Sequence, residues 1–234
     1  MKKEVIYCQK DLKIISQNKD EIITKAKYGP SKLTRIPLFI DENLAFFVGC
    51  IIGDGHLKKD KMQISIELTN RNLIDKIAGI CYLLFNRKFN VKAVKLRLGK
   101  KQSYNMCIDS KAIYNLLKEV FEIPSGKKSD IVKIPKHILN SNKKIKIAFL
   151  KGLMATEGGK RGRGYGLSTA SEKMWNDLNI IFKDIKVPIF KDSWVHKKYS
   201  KRYYGISFKP QYVDLFNAGV PEWSNGLRLG RSSL

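Results

Sequence analysis

Apolar and polar side chains alternate over MQISIEL (62–68), the two-residue period of a strand with one buried face. The period then lengthens to that of an amphipathic helix over TNRNLIDKIAGICYLLF (69–85). VKAVKLRL, a Gly-Lys-Lys turn and SYNMCI follow as a hairpin, and SKAIYNLLKEVF as a closing helix. Past residue 160 the same order returns. It begins with a strand near GYGLST and a helix over SEKMWNDLNIIFKDI. A hairpin of PIFKDSWVHK with RYYGISF and a short helix over PQYVDLFN complete it.

Each series is led by an apolar segment that ends on an acid. These are FFVGCIIGDGH (46–56) and AFLKGLMATEGGK (148–160). Phe46 and Phe149 each stand three residues before a glycine, Gly49 and Gly152; five residues later come Asp54 and Glu157, then Gly55 and Gly158. RIPLFID (35–41) and KIPKHIL (133–139) open the two copies with Ile-Pro before each helix. Each half therefore reads helix, strand, helix, two strands, helix, an α+β unit present twice.

A glycine inside a helix costs about 1 kcal/mol relative to alanine. A helix accepts that where another backbone comes very close, so Gly49 and Gly152 are expected to face each other across a helix–helix seam. The closing glycines are expected to turn the chain away with positive φ. Such packing sets Asp54 and Glu157 side by side at helix C-termini, where the dipole already concentrates negative charge. Two acids placed so are destabilising unless a cation lies between them, and a divalent oxygen-seeking ion such as Mg²⁺ suits them.

The paired segments VGCIIGDG and LKGLMATEG resemble the two LAGLIDADG motifs of single-chain, pseudo-symmetric homing endonucleases of the archaeal intron-encoded kind. The resemblance covers about 35 to 217, most of the chain. It implies two αββαββα-like halves packed through their motif helices, with antiparallel sheets forming a DNA-binding saddle. It further implies that Asp54 and Glu157, helped by the carbonyls of Gly53 and Thr156, hold two or three divalent ions, Mg²⁺ with Mn²⁺ as a substitute. The implied reaction is double-strand hydrolysis of a long, imperfectly palindromic DNA target by a monomer. Two features depart from the pattern. The second motif reads Ala155-Thr156-Glu157 in place of acid-alanine-acid, although Glu can serve with a longer reach. The ends of the first strands read ELTN (67–70) and LSTA (167–170), where the family tends to carry Gln or Lys. Lys160 is the expected substitute for that positive charge.

Composition sharpens this picture through charge. The chain of 234 residues carries Lys+Arg 45 against Asp+Glu 21, a net charge of +24 that favours a polyanionic partner. Candidate DNA contacts are Lys58 and Lys59 after the first motif, and Arg161 and Arg163 in GGKRGRGYG (158–166), read as a loop for phosphates. On the strands they are Gln63, Ser65, Glu67, Lys92, Lys95, Arg97, Lys191, Ser193 and His196, where one residue of register turns every choice to the other face. Cys8, Cys50, Cys81 and Cys107 are scattered without C-x-x-C spacing, and His56, His137 and His196 stand alone, so neither disulfides nor a zinc site is expected.

Four units are expected. Residues 1–34 form an extension with helical character in DEIITKAKYGPSKLTRI, packed on the first half; 35–126 and 127–218 are the two halves; 219–234 is an aperiodic, disordered tail. No signal or membrane-spanning segment is read, which places the protein in a prokaryotic, archaeal-type cytoplasm. The opening Met and the lack of a terminal His-Asn speak against a protein-splicing element. Two rivals share the scaffold: a maturase that binds its own intron RNA, and a DNA-binding protein weakened in catalysis. The two intact acids favour the nuclease, because RNA binding requires neither.

Overall fold

The computed structural model describes residues 6–95, 98–99, 101–197 and 200–218. Three strands come first, β1 (Leu12–Gln17), β2 (Glu21–Ala26) and β3 (Thr34–Pro37). The first half follows as α1 (Glu42–Gly53), β4 (Gly55–Lys58), β5 (Gln63–Leu68), α2 (Arg71–Phe85), β6 (Val91–Ala93), β7 (Tyr104–Asp109) and α3 (Lys111–Asn115). A short α4 (Lys136–Leu139) precedes the second half, α5 (Lys143–Glu157), β8 (Gly159–Arg161), β9 (Gly164–Thr169), α6 (Glu172–Asp184), β10 (Phe190–His196) and β11 (Lys201–Phe208), closed by a 3₁₀ turn over Pro210–Phe216. Both halves form four-stranded antiparallel sheets of matching order, β4-β5-β7-β6 and β8-β9-β11-β10.

The α+β duplication is thus as the sequence reads, with one strand more per half. β4 and β8 are too short to show a period. The stretch read as a phosphate-binding loop (158–166) is a hairpin that turns at Gly162, φ +55°.

α1 and α5 are the axis of the molecule. Asp41 and Asn142 cap them, their side-chain oxygens accepting the amides of Leu44 (2.7 Å) and Ile145 (3.1 Å). α1 is buried on every side from Leu44 to Gly53, so its helical stripe is hidden beneath continuous hydrophobicity. Gly49 and Gly152 form the seam. A methyl group on Gly49 would lie under 3.0 Å from the carbonyl oxygen of Phe149, and one on Gly152 under 3.0 Å from that of Phe46.

Two expectations are corrected. Residues 22–36 are not helical: β1, β2 and β3 make an antiparallel sheet whose Leu12, Ile22, Thr24 and Ile36 are buried. The β-branched run Ile22-Ile23-Thr24 favours the strand. The closing glycines do not adopt positive φ either; Gly158 is extended at φ −76°, ψ 149°. A side chain on Gly55 would strike Ile51, and one on Gly158 the carbonyl of Met154. These glycines let the chain leave a helix directly into a strand. Arg97 and the tail 219–234 lie outside the described residues.

The seam makes an opposed pair of expectations. Gly49→Ala or Gly152→Ala lowers stability by about 1–3 kcal/mol through overpacking. Gly79→Ala on exposed α2, where no atom lies within 4 Å, raises it by up to about 1 kcal/mol. Urea midpoints check both signs.

Candidate metal centre and nucleic-acid interface

The seam determines where the acids emerge. At the C-terminal ends of α1 and α5 the backbones remain so close that a methyl on Gly53 would meet the Thr156 hydroxyl and the Glu157 side chain. Asp54 caps α1, its N–H donating to the Cys50 carbonyl at 3.1 Å, while Glu157 ends α5. The Thr156 hydroxyl is spent on the carbonyls of Gly152 (3.2 Å) and Leu153 (3.0 Å), leaving its own carbonyl as the free donor atom.

Both carboxylates retain exposed area, yet protein crowds them on most sides. Loss of hydration, and then the neighbouring Glu157, push the Asp54 carboxyl up to about 7, against an opposing pull from Lys128. Glu157 is likewise raised by burial and lowered by Lys128.

Lys128 is the residue that the sequence did not single out. Its Nζ donates to the carbonyls of Ile51 (2.5 Å), Gly53 (2.8 Å) and Gly55 (2.5 Å) at the end of α1. The ammonium thus answers the negative end of the helix dipole as well as the two acids. Burial lowers its pKa to about 8, while Glu157 and Asp54 act to raise it. The connector between the halves holds it in place. Gly126, at φ +78°, donates to the Leu57 carbonyl at 2.9 Å, and Asp130 pairs with Lys201 on β11. A Lys in PSGKKSDI (124–131) carries no local signal among so many lysines. The only clue was the need for a cation near two abutted acids.

Lys160 does not join the acids. It lies on edge strand β8 opposite Tyr165, on the helix-facing side. The polar ends of the strands before α2 and α6 also have an account. Asn70 and Ser171 cap those helices, accepting the amides of Leu73 (3.0 Å) and Met174 (3.2 Å). Among the described residues no three His, Cys, Asp or Glu side chains gather as a metal cage. The two carboxylates and the Thr156 carbonyl are a hard-oxygen set that fits Mg²⁺ with its remaining positions given to water or phosphate, whereas the Gly53 carbonyl already accepts from Lys128 at 2.8 Å.

Register decides the interface. On the first sheet Ile64, Ile66 and Leu68 point into the core, so Gln63, Ser65 and Glu67 share the other face, where Ser65 is buried between its neighbours. Lys58 donates to Gln63 (3.0 Å), Gln63 to Asp109 (2.5 Å), and Ser103 to Glu67 (2.6 Å). Lys92 lies opposite Asn105 on that face; Lys59 and Lys95 are exposed beyond the strand ends. His56, opposite Ser65, and Asn105 belong to this face and were not foreseen.

On the second sheet the choice of Lys191 and Ser193 is one residue out of register. Lys191 pairs with the inward Ile206, and its Nζ lies 5.2 Å from the Trp175 ring of α6. The open face carries Phe190, Asp192, Trp194 and His196. Its ring stands 6.2 Å from that of Tyr203, which stacks on Trp194. Arg161 crosses Gly205 to bind Asp192 through both carboxylate oxygens at 2.9 Å and to lie over Trp194. Arg163 is exposed at the hairpin turn. β10 misled because it is an edge strand exposed along its length, so its pattern lacks a buried phase.

No family model matches the sequence. The replication factor C small subunit of Methanocaldococcus jannaschii is 30% identical over 166 residues, covering 71% of this chain, which spans 9% of that relative's length. A probable translation initiation factor IF-2 of the same organism is 25% identical over 189 residues, with 76% of this chain and 15% of that relative covered. The homing endonuclease I-DmoI, solved in complex with DNA and manganese, superposes with TM-score 0.54 at 21% identity over 76% of this chain and 97% of its own. Full-length WhiA from Thermatoga maritima gives TM-score 0.51 at 12% identity, over 77% of this chain and 56% of its own. The fold is that of single-chain LAGLIDADG homing endonucleases. No helix among the described residues is long and apolar enough to cross a membrane.

The raised Asp54 carboxyl gives stability a signed pH dependence. In metal-free buffer the folded state holds a proton that the unfolded chain releases near pH 4, so this group's contribution falls as pH rises from about 4 to about 7. Lys128, depressed, adds a rise between about 8 and about 10. Asp54→Asn is expected to flatten the fall and to raise the thermal midpoint at pH 7.5 above that of the wild type. Parallel melting curves from pH 4 to 8 would contradict the crowding of this acid.

Proposed function

From a LAGLIDADG fold with two carboxylates abutted at its helix seam, we propose that this protein is a site-specific DNA endonuclease. It makes a divalent-metal-dependent double-strand break in a long, asymmetric target and acts as a monomer. The pairing of Asp54 and Glu157 at the abutted C-terminal ends of α1 and α5, with the ammonium of Lys128 beside them, carries this reading.

The carboxylates of Asp54 and Glu157, with the carbonyl of Thr156, would hold the ions; the Gly53 carbonyl stays with Lys128. A bound Mg²⁺ supplies water of lowered pKa and charge neutralisation at the phosphodiester. The rest falls to the chain. One acid from each half lets the pseudo-symmetric pair address one strand apiece. Lys128, fixed by three carbonyls, brings a preorganised positive charge to the developing phosphate charge without reorganisation. It takes the part that the sequence assigned to Lys160.

The open sheet faces read the duplex. The first presents amide, hydroxyl and carboxylate groups suited to base edges, the second an aromatic and guanidinium surface suited to thymine methyls and phosphates. Arg161 reaches DNA only by sharing or leaving Asp192, and Lys191 and Ser193 serve sheet packing rather than base contact.

The test is cleavage of plasmids carrying native-locus inserts, with Mg²⁺ and with Ca²⁺. Discrete double-strand cuts are expected with Mg²⁺ alone, absent in Asp54→Asn and Glu157→Gln. Lys128→Met slows them about 10²-fold while DNA affinity keeps its salt dependence. Tight, salt-sensitive binding without a cut under any metal would overturn the nuclease reading and leave the RNA maturase or the non-cleaving DNA-binding protein.

A further inference from the structure

The N-terminal sheet belongs to neither half, and its place in the molecule suggests what it does. It is fastened to the outer end of the first sheet, where β4 turns into β5 and β7 ends. Thr34 of β3 meets Ser110 at 3.3 Å, and Arg87 donates to the Asp109 carbonyl at 3.0 Å while reaching Thr34 at 3.5 Å. Arg35 donates to the Leu84 carbonyl at 3.0 Å, closing the joint from the side of α2. The inner face, Leu12, Ile22, Thr24 and Ile36, is buried against the first half. The sheet packs on α2 and α3 beside the end of the first sheet, and its other face is turned to solvent.

Its outer face is organised around a conflict. Lys13 on β1 and Lys25 on β2 are directly opposite each other, both exposed, and neither has an ion-pair partner among the described residues. Like charges facing across a strand pair destabilise a sheet. Glu21, on the same face, is committed to Arg35 at 3.5 Å. The β2–β3 turn adds Lys27 and Lys32 beside Tyr28, which is 72% exposed. Between residues 6 and 37 there are seven Lys or Arg against three acids. A cleft of about 270 Å³ lined by Arg87, Lys88 and Lys92 runs on from the open face of the first sheet at this joint.

We propose that this three-stranded sheet is a nucleic-acid arm, which grips the phosphate backbone of the duplex flanking the half-site under the first sheet. The inference rests on the DNA reading above. The arm reads no bases; Lys13 and Lys25 each neutralise a phosphate, and the polyanion relieves the repulsion between them. It lengthens the footprint on one side only, a built-in asymmetry in a pseudo-symmetric protein.

Equilibrium binding of the full chain across a salt series tests this, on a duplex with long flanks around the mapped cut and on duplexes trimmed on either side in turn. On the long duplex, Lys13→Ala/Lys25→Ala is expected to reduce the log–log salt slope by about 1.8, two contacts at about 0.9 each. Trimming one flank removes the difference between variant and wild type, and trimming the other leaves it. Lys144→Ala, at the far end of α5 from Glu157, keeps the wild-type slope. Without DNA the double variant melts at or above the wild-type temperature, which separates a lost contact from a damaged fold. Equal slopes on the long duplex, or a difference that survives trimming on both sides, would overturn the arm. Failure of the wild type to bind any duplex would overturn the DNA reading itself, and the arm with it.

Discussion

The contact between α1 and α5 is made by backbone rather than side chains, and the rest of the molecule is arranged around it. Gly49 under Phe149 and Gly152 under Phe46 allow the two helices to meet at a distance that any Cβ would forbid. Because the contact is symmetric, it also sets the axis that relates the halves. It fixes the helix ends in register, and so it fixes the place where each chain leaves its helix. Sheets, acids and connector all take their positions from that crossing.

The same contact creates an electrostatic problem. Two helix C-termini and two carboxylates converge, and desolvation forces Asp54 towards neutrality. Lys128 answers part of it from the connector, its ammonium resting on three carbonyls of α1 and β4. One ammonium opposes two acids and two dipole ends, so negative charge remains. That residue of charge is what the proposed divalent ion would offset, at a place that both halves reach.

Legibility in the sequence followed burial. The duplication, the seam glycines and the two acids could be read because G-x₄-acid-G recurs at the end of two helices that must be buried. α2 and α6 could be read from their moments, and β5 from strict alternation against a core. β10 could not, since both of its faces meet solvent and its parity has no anchor. β4 and β8 were too short for a period. The N-terminal strands were misread because lysines interrupt their apolar positions on the exposed face. Lys128 was invisible for a different reason: its role depends on a connector that folds back 73 to 77 residues along the chain to reach α1 and β4.

If Asp54 and Glu157 share one cation site that Lys128 partly fills in charge, metal affinity must depend on all three side chains. Titration of Mn²⁺ into the DNA-free protein at pH 7.5, read by loss of the free-ion paramagnetic signal, addresses it without requiring a substrate. Saturable binding by the wild type, tighter binding by Lys128→Ala, and loss of binding in both Asp54→Asn and Glu157→Gln are expected. Binding that survives both acid substitutions, or that weakens when Lys128 is removed, would contradict the shared site.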